Sequence, residues 1–243
     1  MILYPAIDIR GGRCVRLIEG DFDRETAYDS DPSSAARRWV EAGADWLHVV
    51  DLDGAVDGKP INRETVAHIR GSVDVSIQLG GGLRRLTDLE EAFAAGVDRV
   101  VLGTVALRDP ELVSSAVTRW GDRIAVALDA RDGRLATDGW LGQTDASAIE
   151  VAQRLAERRV RHFVYTDIRR DGTLSGPNLD ALDELIEKVD ADVIASGGIA
   201  SLEDIKAVMA AGATGAIVGR ALYDGRIDLG EALALTRPAE APC

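Results

Sequence analysis

The sequence has few cysteines, few aromatic residues and no long apolar segment. Its 243 residues include two cysteines, Cys14 and Cys243, and aromatic residues make up 5% of the chain. A single pair so far apart is weak evidence for a disulfide and is typical of a reducing compartment, so we expect a cytoplasmic protein. No segment reaches the roughly 18 consecutive apolar residues of a membrane helix. The start, MILYPAIDIRGG, also lacks the features of a secretory signal, so we expect no membrane association.

Basic residues are fewer than acidic ones, with 28 Lys and Arg against 41 Asp and Glu and a formal net charge of −13. Without a basic stripe the chain cannot neutralise the phosphates of a nucleic acid, so we expect no nucleic-acid partner. An acidic protein that binds phosphate groups must build its positive sites locally, from glycine turns, helix N-termini and a few arginines.

Motifs for metal and cofactor binding are also missing. The three histidines, His48, His68 and His162, are scattered, and no HExxH, CxxC or clustered His/Asp pattern predicts a metal site. No GxGxxG with an acidic ribose contact predicts a dinucleotide site, and no nucleophile elbow predicts a Ser/His/Asp triad. We therefore expect neither a metal nor a cofactor.

Short apolar runs alternate with amphipathic stretches along the chain. The pattern predicts strands near 2–8, 45–51, 74–79, 98–103, 123–129, 161–167, 191–196 and 214–219. It predicts helices near 32–43, 61–71, 86–95, 109–118, 144–158, 178–188, 201–211 and 228–236. Eight strands, each followed by a helix, are typical of a parallel sheet with right-handed crossovers. Because no Pro-, Ser- or Gly-rich linker divides the chain, we predict one α/β domain over residues 1–243, a (β/α)8 TIM barrel, rather than two small domains.

The chain contains an internal repeat. Residues 81–107 align without a gap on residues 197–223, at a constant offset of 116 residues, and the Gly-Gly pairs and Ala-Ala-Gly triplets coincide. The same offset places Asp51, which ends LHVVD, on Asp167, which ends FVYTD. The sequence therefore predicts two similar half-barrels, about 1–120 and 121–243. A duplicated glycine turn also suggests a substrate with two anionic ends.

Two aspartates end matching strands of the two halves. Asp8 stands in PAIDIR and Asp129 in VALDAR, at the barrel end where TIM-barrel active sites lie. Two carboxyl groups across a barrel mouth suit a general acid and a general base if their surroundings separate their pKa values. One such aspartate alone more often caps a loop or pairs with a neighbour such as Arg10 or Arg131. The occurrence of both at equivalent positions favours catalysis.

Two glycine turns are candidate phosphate sites. LGGGLR (79–84) and ASGGIA (195–200) each precede a helix start, where backbone N–H groups can approach an anion closely. A Gly-Gly turn alone is weak evidence, because tight turns also use glycine for steric reasons. Each turn gains weight from its neighbouring strand end, Gly103-Thr104 or Gly219-Arg220, and Arg84 and Arg220 can add charged contacts. Asp171 and Gly172 lie beside the second site.

Two loops are open to more than one interpretation. Segment 9–31 is too long and too charged for a simple connector. It can be a mobile loop over an active site, a surface hairpin with GGRCVRL as a strand, or both. Trp140, in DGWLGQ, can stack on an aromatic substrate ring or simply pin its loop.

The chain resembles the ProFAR isomerase (HisA) family of histidine biosynthesis in segments that span nearly its whole length: PAIDIRGGRCVRL, HVVDLDGA, LGGGLR, VLGT, LDAR, TDIRRDGTLSGPN, ASGGI and AIVGRAL. The resemblance implies a TIM barrel of two half-barrels. It also implies an aldose–ketose isomerase without metal or organic cofactor. The implied reaction is an Amadori rearrangement of the aminoaldose ProFAR, which carries a phosphate at each end, to the aminoketose PRFAR.

The resemblance also implies a role for each matching residue. Asp8 matches the general base that removes the C2 proton of the opened sugar, and Asp129 the general acid that protonates the ribose ring oxygen. Thr166 matches a residue near the reacting carbon, and Trp140 a loop residue that packs over the substrate. One phosphate site is matched by Gly82, Arg84, Gly103 and Thr104. The other site and its rim are matched by Asp171, Gly172, Gly197, Gly198, Gly219 and Arg220.

Two related families share the scaffold. The cyclase HisF usually begins PCLDV and has lysine at the position of Arg16, so this sequence disfavours a cyclase with a glutaminase partner. Dual-substrate PriA enzymes also act on phosphoribosyl anthranilate. They typically have a basic residue two positions before the loop tryptophan and QGK after the first glycine pair, where this chain has Asp138 and Glu19-Gly20-Asp21. The sequence favours a single-substrate isomerase, expected to be a monomer. A dual-substrate enzyme and a non-catalytic phosphate-metabolite sensor remain as alternatives.

Overall fold

The computed structural model describes residues 1–237, which contain twelve strands and eleven α-helices. The strands are β1 (Ile2–Arg10), β2 (Arg13–Ile18), β3 (Asp21–Asp29), β4 (Trp46–Asp51), β5 (Ser76–Gly80), β6 (Arg99–Leu102), β7 (Ile124–Arg131), β8 (Arg134–Thr137), β9 (Gly142–Ser147), β10 (His162–Asp167), β11 (Asp192–Ser196) and β12 (Gly215–Val218). The helices are α1 (Pro32–Glu41), α2 (Leu52–Asp57), α3 (Arg63–Ser72), α4 (Leu86–Ala94), α5 (Val105–Arg108), α6 (Pro110–Trp120), α7 (Ala148–Glu157), α8 (Leu179–Lys188), α9 (Leu202–Ala210), α10 (Arg220–Tyr223) and α11 (Leu229–Thr236).

Eight of the described strands form a closed ring of parallel neighbours. Their order is β10, β11, β12, β1, β4, β5, β6 and β7, and β7 pairs with β10 to complete the ring. Helices lie between successive ring strands in the chain. This architecture is a (β/α)8 TIM barrel, so the predicted fold class is confirmed. In this ring β1 and β7 lie opposite each other, four strands apart in either direction.

The ring strands are buried on both faces, which explains why their sequences lack polar alternation. Outward-facing side chains such as Ile7, Leu47 and Leu128 pack with the helices in the main core. Inward-facing side chains form a second, smaller cluster inside the barrel, made of Tyr4, Ala6, Val101, Ala125, Val164, Ile194 and Ile217. This inner cluster fills the barrel and forms a floor beneath its C-terminal end.

Each half-barrel carries an antiparallel hairpin directly after its first strand. β2 and β3 follow β1, and β8 and β9 follow β7. The hairpins match at an offset of 121 residues, because β2 begins at Arg13 and β8 at Arg134, while β3 begins at Asp21 and β9 at Gly142. The hairpin interpretation of segment 9–31 is therefore confirmed.

One predicted helix begins later than expected, and the structure has three short helices that the sequence did not predict. The predicted helix over 144–158 begins at Ala148, after Ser147, whose side chain accepts the Glu150 amide at the N-cap. The preceding residues form β9 instead, because they pair with β8. The helices α2, α5 and α10 are too short to leave a 3.6-residue pattern in the sequence. The side chains of Asp31 and Asp109 cap the N-termini of α1 and α6, where they accept the Ser33 and Leu112 amides.

The described residues include one of the two cysteines, and their helices can be compared with the length and hydropathy of a membrane span. Cys14 is buried on β2 as a free thiol. Cys243 lies outside the described residues, so the state of the cysteine pair stays a prediction. Within residues 1–237, no helix combines the length and the hydropathy needed to cross a membrane.

Candidate active site

A single cavity at the C-terminal end of the barrel gathers every site residue predicted from the sequence. These residues come from both half-barrels, and one of them, Trp140, lies in the turn of the second hairpin. The cavity is lined by Asp8, Gly82, Arg84, Gly103, Thr104, Asp129, Trp140, Thr166, Asp171, Gly172, Gly197, Gly198, Gly219 and Arg220. The structure thus brings these residues together, and their roles stay a prediction.

Asp8 is ion-paired with Arg16, a residue of β2 that the sequence did not identify as part of the site. Arg16 Nη1 donates to Asp8 Oδ2, and Arg16 Nη2 donates to the Ala6 carbonyl oxygen at 3.4 Å. Burial disfavours the guanidinium charge, but the charges of Asp8, Tyr223 and Asp171 outweigh this effect and raise the pKa of Arg16. Arg16 is therefore a fixed cation that faces Asp8.

Asp129 stands on β7, across the barrel from Asp8. Burial raises the pKa of the Asp129 carboxyl, and the hydrogen-bonding side chains of Trp140 and Thr166 partly oppose that rise. The rise follows because a carboxylate loses its hydration when protein surrounds it. A carboxyl group that keeps its proton to higher pH suits a general acid.

A third carboxyl group, that of Asp171, shares the cavity. Burial raises its pKa from 3.8 to about 7, although the nearby Arg16 cation lowers it, and the charges of Asp8 and Asp129 raise it further. The sequence placed Asp171 only at the rim of a phosphate site. Asp171 therefore lies within the electrostatic influence of Arg16, Asp8 and Asp129.

The two glycine turns have the left-handed backbone that glycine favours. Gly81 and Gly82 have φ of 98° and 73°, and Gly197 and Gly198 have φ of 90° and 85°. The turns also pack closely on the preceding strand end. A Cβ on Gly197 would lie 2.7 Å from the Asp167 carbonyl oxygen, and one on Gly81 would overlap the equivalent carbonyl of Asp51. Both halves therefore need glycine for the same two reasons.

Arg84 is held beside the first glycine turn by Asp138. Arg84 Nη2 lies 3.5 Å from Asp138 Oδ1 and 3.2 Å from the Ala55 carbonyl oxygen. Arg108 Nη2 lies 2.6 Å from the other Asp138 oxygen, and the Asp138 amide donates to Thr104 Oγ1 at 2.8 Å. Asp138 therefore links two predicted phosphate ligands to the loop that carries Trp140.

Arg220 is held in a comparable way beside the second glycine turn. Its Nη1 donates to the Gly172 carbonyl oxygen at 2.8 Å, and its Nε donates to Asp224 Oδ2 at 3.0 Å. Gly219, just before it, lies so close to Arg16 that a Cβ at position 219 would overlap the guanidinium group. The second anion site is therefore adjacent to the Asp8–Arg16 pair.

The other pair of strand-end aspartates has a structural role. Asp51 accepts hydrogen bonds from the Asn62 amide and side chain at 2.9 and 2.7 Å. Asp167 accepts from the Asn178 side chain at 2.6 Å. These pairs keep the offset of 116 residues, and both anchor the helix that follows. Neither aspartate lines the cavity.

His48 lines the cavity and was not predicted as a site residue. It stands on β4, and its Nδ1 lies 2.9 Å from Gln78 Nε2. Burial and the Arg16 charge lower the pKa of His48 to about 3. Side-chain alternation is the signal that could have found it, because residues 48 and 50 face inward while Asp51 faces outward. Within residues 1–237, no group of three or more His, Cys, Asp or Glu side chains is arranged to hold a metal ion.

Known proteins with similar sequences match this chain over nearly its whole length. A protein of Rhodopseudomonas palustris (strain BisB18) is 50% identical over 244 residues, covering 99% of this chain and 100% of the relative. A protein of Moorella thermoacetica is 50% identical over 238 residues, covering 97% of this chain and 98% of the relative. One of Desulforamulus reducens is 48% identical over 246 residues, with full coverage of both. All three are named as an imidazole-4-carboxamide isomerase, in a name that specifies two 5-phosphoribosyl groups.

A family model described as "Histidine biosynthesis protein" matches residues 2–228. This span includes the ring strands, both hairpins and every predicted site residue. The chain therefore belongs to the histidine biosynthesis protein family.

Proposed function

We propose that the protein isomerises the aminoaldose ProFAR to the aminoketose PRFAR by an Amadori rearrangement in histidine biosynthesis. The observation that carries the proposal is the shared cavity, in which two glycine turns and the opposed Asp8 and Asp129 meet. The name of the full-length relatives supports the substrate, because it specifies two phosphoribosyl groups on an imidazole carboxamide.

The proposed reaction needs one proton donor and one proton acceptor. Asp129 donates a proton to the ribose ring oxygen, the bond from C1 to that oxygen breaks, and the opened sugar becomes a Schiff base. Asp8 then removes the C2 proton to give an enolamine, which tautomerises to the aminoketose. The ion pair with Arg16 supports Asp8 as the base, because it presents a carboxylate. The raised pKa of Asp129 supports it as the acid.

One observation favours a second candidate for the acid. The pKa of Asp171 is raised to about 7, and proton transfer is most effective when the pKa of the catalytic group lies near the working pH. Asp171 also shares the cavity with Asp8. Asp129 remains the proposed acid, and an Asp171→Asn variant tests the assignment.

The glycine turns give the substrate two anchors. We assign one phosphate to Gly82, Arg84, Gly103 and Thr104, and the other to Gly197, Gly198, Gly219 and Arg220, beside Gly172. Anchoring both ends places the sugar over the carboxyl groups, and such positioning supplies much of the rate enhancement when reacting atoms are held in place.

An assay with ProFAR and phosphoribosyl anthranilate, side by side, tests the proposal. We expect conversion of ProFAR without a change in mass, as an isomerase requires. A cyclase would change the mass, and a sensor would bind without turnover. Asp138 supports the single-substrate form, since dual-substrate relatives typically have a basic residue at this position. Equal turnover of both compounds would contradict that part of the proposal.

We also propose that the enzyme acts as a monomer in the cytoplasm. One barrel supplies both glycine turns together with Asp8 and Asp129, which supports a site that needs no residue from a second copy. The buried free thiol of Cys14 is typical of a reducing compartment. Sedimentation at the assay concentration and cell fractionation test these two statements.

A further inference from the structure

The tips of the two matching hairpins meet over the cavity. The first tip, Glu19-Gly20, joins β2 to β3, and the second tip, which contains Trp140-Leu141, joins β8 to β9. At the offset that relates the hairpins, Gly20 corresponds to Leu141 and Glu19 to Trp140. The contact therefore joins equivalent turns of the two half-barrels across the mouth of the site.

The contact leaves no room for a side chain at position 20. A Cβ on Gly20 would overlap Trp140 Cε3 and would lie 3.0 Å from Cζ3 and 3.2 Å from Cδ2. These atoms belong to the six-membered ring of the indole. The other ring carries Nε1, and Trp140 and Asp129 line the same cavity.

Other contacts hold both sides of this interface. On the first hairpin, the Glu19 amide donates to the Asp171 carbonyl oxygen at 2.9 Å. On the second, Arg131 Nη1 donates to the Trp140 carbonyl oxygen at 3.1 Å. Because both main chains are tied down, a side chain at position 20 must displace the Trp140 indole.

We propose that Gly20 is a positioning residue for the isomerisation, because its missing side chain lets the Trp140 indole rest on the first hairpin within the cavity that also holds Asp129. This inference rests on the proposed function, which gives Asp129 and Trp140 their roles. Gly20 acts through Trp140 and takes no part in the proton transfers.

Gly12 offers a matched control in the same segment. Its φ is +75°, against +73° for Gly20, and a Cβ on Gly12 would have no heavy atom within 4 Å. Alanine at either position therefore imposes a similar backbone strain. The variants Gly20→Ala and Gly12→Ala differ in whether the new methyl group meets Trp140.

The test compares the kcat/KM of these variants for ProFAR. We expect Gly12→Ala to stay within about threefold of the unmodified enzyme. We expect Gly20→Ala to lose at least about tenfold, because small displacements of catalytic groups have large effects on rate. Their melting temperatures should fall by similar amounts.

Two outcomes would contradict the proposals. Equal kcat/KM for the two variants in an active enzyme would overturn this inference alone. An inactive unmodified enzyme would overturn the proposed function, and this inference with it.

A double-mutant cycle separates positioning from folding. In a Trp140→Ala background the overlap is absent, so Gly20→Ala should lower kcat/KM no more than Gly12→Ala does. The same loss in both backgrounds would overturn the inference. If Gly20→Ala fails to fold, a folded Gly20→Ala/Trp140→Ala variant supports the contact. Failure of both to fold would show that the backbone alone requires glycine, and would overturn the inference.

Discussion

Arg16 and Asp8 form an ion pair at the carboxyl end of β1, with 11% and 15% of their side chains exposed. The pair has a consequence for the rest of the cavity. Arg16 is the positive group that opposes both Asp8 and Asp171, and it pairs directly with Asp8. The remaining carboxyl groups, Asp129 and Asp171, both have raised pKa values. The arrangement therefore sets an ion-paired carboxyl group against two carboxyl groups with raised pKa values, and general acid–base catalysis requires such a difference.

The first prediction concerns Asp8. Replacing it by asparagine removes the acceptor for the C2 proton, so kcat should fall by about 10² to 10⁴-fold. The phosphate contacts remain, so the affinity for PRFAR should change by less than about threefold, as measured by calorimetry. Asp180→Asn, on the exposed face of α8, serves as the control and should retain full activity. Turnover by Asp8→Asn at the unmodified rate would remove Asp8 from the mechanism.

The second prediction distinguishes the two candidate acids at pH 6. If Asp129 is the acid, Asp129→Asn should lower kcat by about 10² to 10⁴-fold, while Asp171→Asn should keep most of the activity. We expect this result. In the unmodified enzyme, kcat/KM should fall as the pH rises through about 7, because ionised Asp171 adds negative charge beside a phosphate site. Asp171→Asn should abolish that fall. An inactive Asp171→Asn with an active Asp129→Asn would transfer the acid role to Asp171.

The fold was largely predictable because it depends on local patterns. Apolar runs located the ring strands, and the amphipathic stretches between them located the longer helices. The strand β9 was missed because GQTDAS has neither alternation nor β-branched enrichment, and it forms only by pairing with β8. Tertiary pairing there overrides local preference.

The sequence located site residues that lie at strand ends. It could not show which side chains face the cavity, because that depends on how the strands pair. Asp8 and Asp51 both lie near the carboxyl ends of ring strands, yet Asp8 faces the cavity and Asp51 binds Asn62. Arg16 reaches Asp8 because β2 folds back on β1, which a motif does not show. The raised pKa of Asp171 likewise depends on groups far apart in the chain.

The third prediction concerns the stability of the protein at different pH values. The pKa of Asp171 is about 7 in the folded protein and 3.8 ordinarily, so the folded state binds this proton more tightly. Its contribution to stability is fully present below pH 3.8 and is lost as the pH rises to about 7. Asp171→Asn has no such loss, so it should be more stable than the unmodified protein by about 2–4 kcal/mol at pH 8. The difference should shrink towards pH 4. Urea unfolding at several pH values measures it, and a variant less stable at pH 8 would contradict the burial argument.

The fourth prediction concerns Asp138, which neutralises Arg84 and Arg108. Asp138→Asn removes a negative charge that competes with the substrate phosphate for these arginines. The KM for ProFAR and the inhibition constant for inorganic phosphate should both fall, by about two- to tenfold, in line with the modest energies of partly exposed ion pairs. The Asp138 amide still reaches Thr104, so kcat should change little. A higher KM would instead show that Asp138 holds Arg84 in its binding position, and Arg84→Met would then raise KM to the same extent.

The last prediction concerns His48, whose pKa is lowered to about 3 by burial and by the Arg16 charge. A histidine that stays neutral beside a cation adds no second positive charge to the cavity, so Arg16 remains the partner of the carboxyl groups. The ring signals of His48, assigned with a His48→Gln variant, should not titrate between pH 8 and pH 4.5 in NMR spectra.

The low pKa of His48 also affects the stability of the protein. Because the folded pKa lies below the ordinary 6.5, the unfolded state binds this proton more tightly. The stability contribution is therefore present above pH 6.5 and is lost as the pH falls towards 3. His48→Gln should unfold less readily in acid than the unmodified protein, relative to their stabilities at pH 8. A titration of His48 near pH 6.5 would show that water reaches the ring, and would remove the argument for a neutral imidazole in the cavity.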